Sequence, residues 1–281
     1  MKSPDPYSRR SFIHEGRRLV YEVHGEGEHL LVYLNALLLD ANLNRPMAQA
    51  LAARGNRVVL LDLLGHGLSD KPAQAYEHRI DLYAEEVIAL LDHLGADDAV
   101  LGGISLGANV SLLAATQDPA RVRGLILEMP VMEQAVPSVA LTFVPFLLGL
   151  YYARLPFRFL TALVRRVPRG TFPPLDSILN AASLPPDQMA AVLHGVLLGP
   201  TTPTLGQREA IAAPTIVIGH GADLIHPFSD AEAIVRQLQN ARLVRASSIL
   251  ELRLRPARLT AEIAGFLDEV WRPGSVSAMS A

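Results

Sequence analysis

The sequence predicts an α/β protein: a mostly parallel, doubly wound sheet with helices on both faces, carrying a helical cap insertion. Three observations lead there. Short runs of Val, Ile and Leu recur along the chain, helical patterns fall between them, and the alternation stops from Pro130 to about Pro214. A run that is apolar throughout, rather than at every second position, is how a strand buried on both faces reads. Strand and helix in alternation imply a parallel sheet covered on both sides.

The chain opens with FIH and LVYEVHG around Glu15-Gly16-Arg17, which reads as an antiparallel hairpin at the sheet edge. The strand runs that follow are HLLVYLN (29–35), RVVLLDL (57–63), DAVLGGI (98–104), VRGLILEM (122–129), PTIVIGH (214–220) and ARLVRA (241–246). Helical patterns cover Arg45–Arg54, Arg79–Leu94, Leu106–Gln117, Ser229–Leu238 and Pro256–Trp271. In the last, Leu259, Ile263, Phe266, Leu267 and Val270 keep three- and four-residue spacing. The expected organisation is a core of residues 11–130 and 214–272, a helical cap over 131–213, and flexible tails at 1–10 and 273–281. A strandless connection of that length is either a functional lid or a subdomain that only packs.

Composition narrows the chemistry. Half of the 281 residues are hydrophobic and 19% are charged, so the chain has the material for a large core and is not disordered. Lys plus Arg number 25 against 28 for Asp plus Glu, a net charge of -3 that supplies no basic field for nucleic acid. There is no Cys, which removes disulfides, thiolate nucleophiles and Cys-ligated metal together. The polar opening MKSPDPYSRRSF has no apolar run of signal-peptide length, so a cytoplasmic protein is the expectation.

The sharpest chemical signal is Gly103-Ile104-Ser105-Leu106-Gly107, a G-x-S-x-G between a strand end and a helix start. A serine there sits on a tight turn with its hydroxyl above the C-terminal edge of the sheet, and glycines stand where a Cβ would clash. The Leu106 amide falls at a helix N-terminus, where a free N–H and the dipole favour a developing oxyanion. The plainer alternative is a glycine-rich structural turn.

With these residues in place, the chain resembles the α/β-hydrolase superfamily over nearly its full length. The matching pieces are LNALLLD (34–40), DLLGHGLSD (62–70), the elbow GGISLGA (102–108) and PTIVIGHGADLIHP (214–227). The resemblance implies Ser105 as nucleophile, Asp223 as the acid, and the amides of Leu106 and of Ala36 or Leu37 as the oxyanion hole. It also implies a serine esterase-like hydrolase. Where many members read His-Gly in the oxyanion loop, this chain has Asn35-Ala36.

The departure that matters is the third triad member. The family's order is Ser, acid, then a His after the last strand. This chain's nine His are 14, 24, 29, 66, 78, 93, 194, 220 and 226, and none follows residue 226. The expected loop reads Ala246-Ser247-Ser248-Ile249-Leu250-Glu251, and a serine hydroxyl cannot take up the nucleophile's proton near pH 7. Three readings stand side by side. His226 is the base, oriented by Asp223 or by Glu251, since a triad is defined by geometry and not by chain order. Or the machinery has lost its base. Or the fold serves apolar-ligand binding or cofactor-free lyase or oxygenase chemistry.

His220 is the second candidate base and His66 the third, although His66 is expected to hydrogen-bond the glycine-rich loop. His14, His24 and His29 are expected on the surface of the edge hairpin. His78 and His93 flank an exposed helix pattern, and His194 belongs to the cap. The nearest approach to a metal site is His220-x-x-Asp223-x-x-His226, too sparse for one, so neither metal nor other cofactor is expected.

The cap suggests the substrate. Phe143, Phe146, Tyr151, Tyr152, Phe157 and Phe159 stand among leucines where a lid would overhang Ser105, either as an apolar ceiling for a small hydrophobic substrate or as the lid's own core. Ala135 to Ala153 holds no charge over nearly a membrane span, but Pro137 and Pro145 interrupt it. Arg154, Arg158, Arg165, Arg166 and Arg169 follow, a pattern compatible with peripheral contact at an anionic membrane. The expected partners are thus a small hydrophobic substrate and no nucleic acid, with peripheral membrane contact left open, in a monomer or homodimer cleaving a hydrophobic carboxylic ester or related acyl bond.

Overall fold

A computed structural model describes residues 7–221, 223 and 225–272. Eight strands form one sheet: β1 (Ser8–His14), β2 (Arg17–His24), β3 (Leu30–Leu34), β4 (Arg57–Asp62), β5 (Ala99–Ile104), β6 (Val122–Glu128), β7 (Thr215–Gly219) and β8 (Ala241–Arg245). Their order across the sheet is β1-β2-β4-β3-β5-β6-β7-β8. β1 and β2 pair antiparallel, as does β2 with β4, and every pair beyond is parallel. The doubly wound α/β fold expected from the run pattern is therefore the fold observed.

Each element follows from its residues. Glu15 and Gly16 both take positive φ, 48° and 74°, the turn type whose twist matches an antiparallel hairpin. Pairing starts at Ser8, inside the segment expected as a tail at 1–10, because the β1–β2 ladder runs on from Ser8 against Val23. The remainder of that tail, 1–6, and the tail at 273–281 lie outside the described residues. Strand parity sorts the core into two layers. Val32, Leu34, Val59, Leu61 and Leu101 face one way. Leu31, Tyr33, Val58, Leu60 and Val100 face the other.

On the first face lie α2 (Ile80–Leu94), α3 (Leu106–Gln117) and α9 (Phe228–Gln237). On the second lie α1 (Arg45–Ala52), α10 (Glu251–Leu254) and α11 (Ala257–Val270). α3 is buried all round from Leu106 to Ala115, as a helix directly behind a buried strand must be.

Between β6 and β7 the chain is helical: α4 (Val136–Tyr152), α5 (Arg154–Val164), α6 (Pro173–Ala181), α7 (Pro186–Leu198) and α8 (Leu205–Glu209). Leu147 and Leu150 of α4 pack on Met189, Ala190 and Leu193 of α7, a small core separate from the two beside the sheet. α4 contains Pro145, and α4 and α5 meet at a bend of 99°. Among the described residues no single helix is long and apolar enough to cross a membrane, although this bent pair passes by length and composition.

Side chains of the sheet region hold the helical segment at its roots. The Asn109 amide of α3 donates to the carbonyls of Val131 (2.7 Å) and Thr201 (2.6 Å), and its oxygen accepts from the Val131 N–H at 2.9 Å. Asp230 of α9 accepts backbone N–H groups from Met132, Gln134 and Ala135 at 2.9, 3.2 and 3.0 Å. Burial raises the Asp230 carboxyl above its usual range even against those three donors.

Candidate active site

Ser105 sits where β5 becomes α3, at φ 54° and ψ −112°, a left-handed conformation that costs a non-glycine residue about 1–3 kcal/mol. The surroundings enforce it. Its N–H donates to the Glu128 carbonyl of β6 at 2.8 Å, while its own carbonyl starts the helix by accepting from Asn109. A Cβ on Gly103 would stand 2.4 Å from the Gly107 carbonyl carbon, and one on Gly107 would stand 2.6 Å from the Leu34 carbonyl oxygen. Backbone lies on backbone there, so both glycines of the motif are required by space.

The loop after β7 reaches over this turn. Asp223 Oδ1 accepts the Ile225 N–H at 2.8 Å, a local turn that fixes the carboxylate, and Oδ2 lies 2.7 Å from His226 Nδ1. On the other side of the ring, His226 Nε2 is 2.9 Å from Ser105 Oγ. An ionised carboxylate only accepts, so Nδ1 carries the proton and Nε2 is left to accept from the serine hydroxyl. Burial works against charge on Asp223, but the His226 ring and the Ile225 amide outweigh it and hold the carboxyl below its ordinary value. His226 and Asp223 are largely shielded, with side chains 11% and 13% exposed.

The other candidates take other places. His220 Nε2 stands 3.5 Å from Asp223 Oδ2, long for a hydrogen bond, and no hydrogen bond links it to Ser105. His66 is buried with Nδ1 on the Leu64 carbonyl at 3.0 Å, and burial pulls it down to about 4, so it holds its loop as a neutral ring. Glu251 shares no hydrogen bond or ion pair with His226. It accepts from the Ser247 N–H, the Ser247 hydroxyl and the Arg258 guanidinium, and the Arg258 pairing brings its carboxyl down to about 2.

His24, expected at the surface, is fully buried, because β2 is not the edge strand but lies between β1 and β4. His78 is buried as well, bonded to the Pro72 carbonyl at 2.9 Å, and its helix pattern is not exposed on that side. His194 meets the Tyr151 hydroxyl at 3.1 Å within the helical segment. Among the described residues no group of three or more His, Asp or Glu is placed to hold a metal ion.

Ser105 and His226 open onto a cavity of about 320 Å³, walled by Ala36, Leu37, Leu43, Ile104, Leu106 and Ile225 from the sheet side and by Val139, Phe143, Ile178 and Leu193 from the helical segment. The Leu106 amide is the first of α3 and has no acceptor within the helix. Ala36 and Leu37 line the same cavity as Ser105 and Leu106. Arg253, also in the cavity lining, bonds Glu128 and, at 2.7 Å, the side-chain carbonyl oxygen of Asn44, while Tyr33 donates to Glu128 at 2.7 Å. This buried ion pair braces the strand end whose carbonyl holds the Ser105 amide. In the sequence Arg253 sits in LRLRP like any surface arginine, and nothing local marks it.

The apolar residues of α4 and α5 divide three ways. Phe143 lines the cavity, Leu147 and Leu150 fill the helical segment's own core, and Leu141, Tyr152, Leu155 and Phe159 face outward, three-quarters or more exposed.

Comparison with known proteins agrees with this architecture. The model of a family described as alpha/beta hydrolase fold matches residues 29–191, more than half of the chain. A dihydrolipoyllysine-residue acetyltransferase component of an acetoin cleaving system from Pseudomonas putida is 44% identical over 117 residues, 40% of this chain and 30% of that protein. A 2-hydroxymuconate semialdehyde hydrolase from Pseudomonas sp. strain CF600 is 33% identical over 105 residues, 37% of this chain and 34% of that protein. These matches span about a third of the length of either relative. The enol-lactonase of Burkholderia xenovorans LB400 superposes with a TM-score of 0.74 at 21% identity, over 92% of this chain and all of that one.

Proposed function

This chain belongs to the alpha/beta hydrolase fold family, and from that premise we propose that it is a hydrolase cleaving a hydrophobic carboxylic ester or related acyl bond through Ser105. The observation that carries the reading is the unbroken line from Asp223 through His226 to the Ser105 hydroxyl, at 2.7 and 2.9 Å, opening on an apolar cavity.

Ser105 Oγ adds to the acyl carbonyl as His226 Nε2 takes its proton. The negative charge moves to the carbonyl oxygen, which the amides of Leu106 and of Ala36 or Leu37 receive. Asp223 steadies the imidazolium through Nδ1. The tetrahedral species collapses, the bond to the leaving alcohol breaks, and His226 returns the proton to that oxygen. Water then adds to the acyl-serine with His226 again as base, releasing the acid and restoring Ser105. The walls are almost wholly apolar and the one charged side chain among the described lining residues, Arg253, is already paired with Glu128, which favours an uncharged acyl chain.

The reading is tested by labelling with a serine-reactive phosphonate. Intact protein should be labelled at Ser105, and Ser105→Ala and His226→Ala should each lose the label. No labelling of the intact protein would overturn the reading in favour of a fold that only binds.

A further inference from the structure

The outer face of α4 and α5 has no partner, and its chemistry is not that of an ordinary surface. Leu141, Tyr152, Leu155 and Phe159 are 77%, 87%, 77% and 75% exposed, with Leu148 and Leu163 about half exposed beside them. Soluble surfaces show such residues singly, not as one contiguous band. On α5 the spacing Leu155, Phe159, Leu163 draws an apolar stripe, and Arg154 and Arg158, each one residue earlier, draw a basic stripe beside it. Arg166 extends the basic side past the helix end. Arg154, Arg158 and Arg166 have no ion-pair partner among the described residues.

Charge identifies the occupant. Between Glu133 and Asp176 the chain carries five Arg and no acidic residue, although its net charge is -3, so this one segment is basic within an acidic protein. A second copy docking through the same face would bring arginine against arginine. An anionic phospholipid surface offers what the face lacks: acyl carbon for Leu155 and Phe159, and phosphate for the guanidinium groups. The sharp bend between α4 and α5 prevents the pair from acting as one straight span, and suits two helices lying at the interface.

We propose that the α4–α5 face docks this protein on anionic phospholipid membranes, with the apolar stripe in the headgroup–acyl boundary. α4 would then be a wall one helix thick between lipid and cavity, because Val139 and Phe143 on its inner side line the chamber that Ser105 opens onto. Resting on the function proposed above, this makes the substrate class esters that partition into membranes.

The test is co-sedimentation of the full chain with vesicles of phosphatidylcholine alone and of phosphatidylcholine with phosphatidylglycerol. The protein should bind the anionic vesicles, and less as salt rises. Arg154→Gln/Arg158→Gln/Arg166→Gln should weaken that binding roughly a hundredfold, at about fivefold for each cation lost near the surface. Leu155→Ser/Phe159→Ser should weaken it by roughly tenfold or more. Both variants should keep the circular dichroism and the turnover of a short water-soluble ester, since none of these residues lines the cavity. Equal binding to both vesicle types, undiminished binding by the variants, or a dimer in analytical ultracentrifugation that the Leu155/Phe159 variant dissolves would each overturn the proposal. Vesicle binding without any ester turnover would instead defeat the hydrolase reading and leave the docking face standing.

Discussion

The loops that leave β7 and β8 emerge side by side at one end of the sheet, and they have been put to opposite uses. The first holds Asp223 and His226 within three residues of each other and delivers the imidazole to Ser105. The second, where the family ordinarily keeps its histidine, is tied down instead: Glu251 grips Ser247 and Arg258, and Ile249 and Leu250 serve as apolar wall of the cavity. What differs between the loops is reach. A base works wherever its nitrogen meets the hydroxyl in the right tautomer, and a three-residue spacing on one turn gives Asp223 the angle to set that tautomer.

Mutations at the two loops should separate them widely. Ser105→Ala and His226→Ala are each expected to lower kcat/KM for an apolar ester roughly 10⁵-fold, with the double variant no worse than either. Steady-state assays of the three proteins measure this, and additive losses would show that the two residues act separately. Asp223→Asn, which keeps the shape but reverses the hydrogen-bond preference, should cost roughly 10⁴-fold. The matching change on the other loop, Glu251→Gln, should leave kcat/KM within about threefold. A large loss there would mean that both loops feed the reaction, and the contrast would collapse.

The reachable imidazole can also be set against a buried one. His66 falls from its ordinary 6.5 to about 4 because burial disfavours the cation. Its folded value lies below its unfolded one, so its contribution is complete above pH 6.5 and is lost as pH falls from there toward 4. Relative to His66→Gln, the protein should lose roughly 3 kcal/mol of denaturant stability across that window. Parallel curves for the two would show that the ring is not buried as described. The smallest effect belongs to Glu251→Gln as a stability change, about 1 kcal/mol by urea unfolding, since the Ser247 N–H loses a charged acceptor but keeps an oxygen within reach.

Six of the eight strands were legible as continuous apolar runs, and the other two as a hairpin, because two-faced burial in a parallel sheet leaves an unmistakable composition. Ser105 was legible for a related reason: Gly103 and Gly107 are demanded by backbone contact, which no side chain can imitate. His226 was legible as the first candidate and His220 as the second, but both stand three residues from Asp223, and only the course of the loop decides which ring points at the elbow. The burial of His24 was hidden because a hairpin in sequence does not say which of its strands is the edge. Asn109, Asp230, Arg253 and Glu128 were not legible at all. Each works through partners distant along the chain, and polar residues of that kind look alike until the fold brings their partners to them.

The carboxylate of Asp230 has one more implication. It grips the backbone at 132–135, where the helical segment departs, and it stands on α9, whose first turn starts two residues after His226. The root of the helical segment and the loop that carries His226 are thus moored to the same helix.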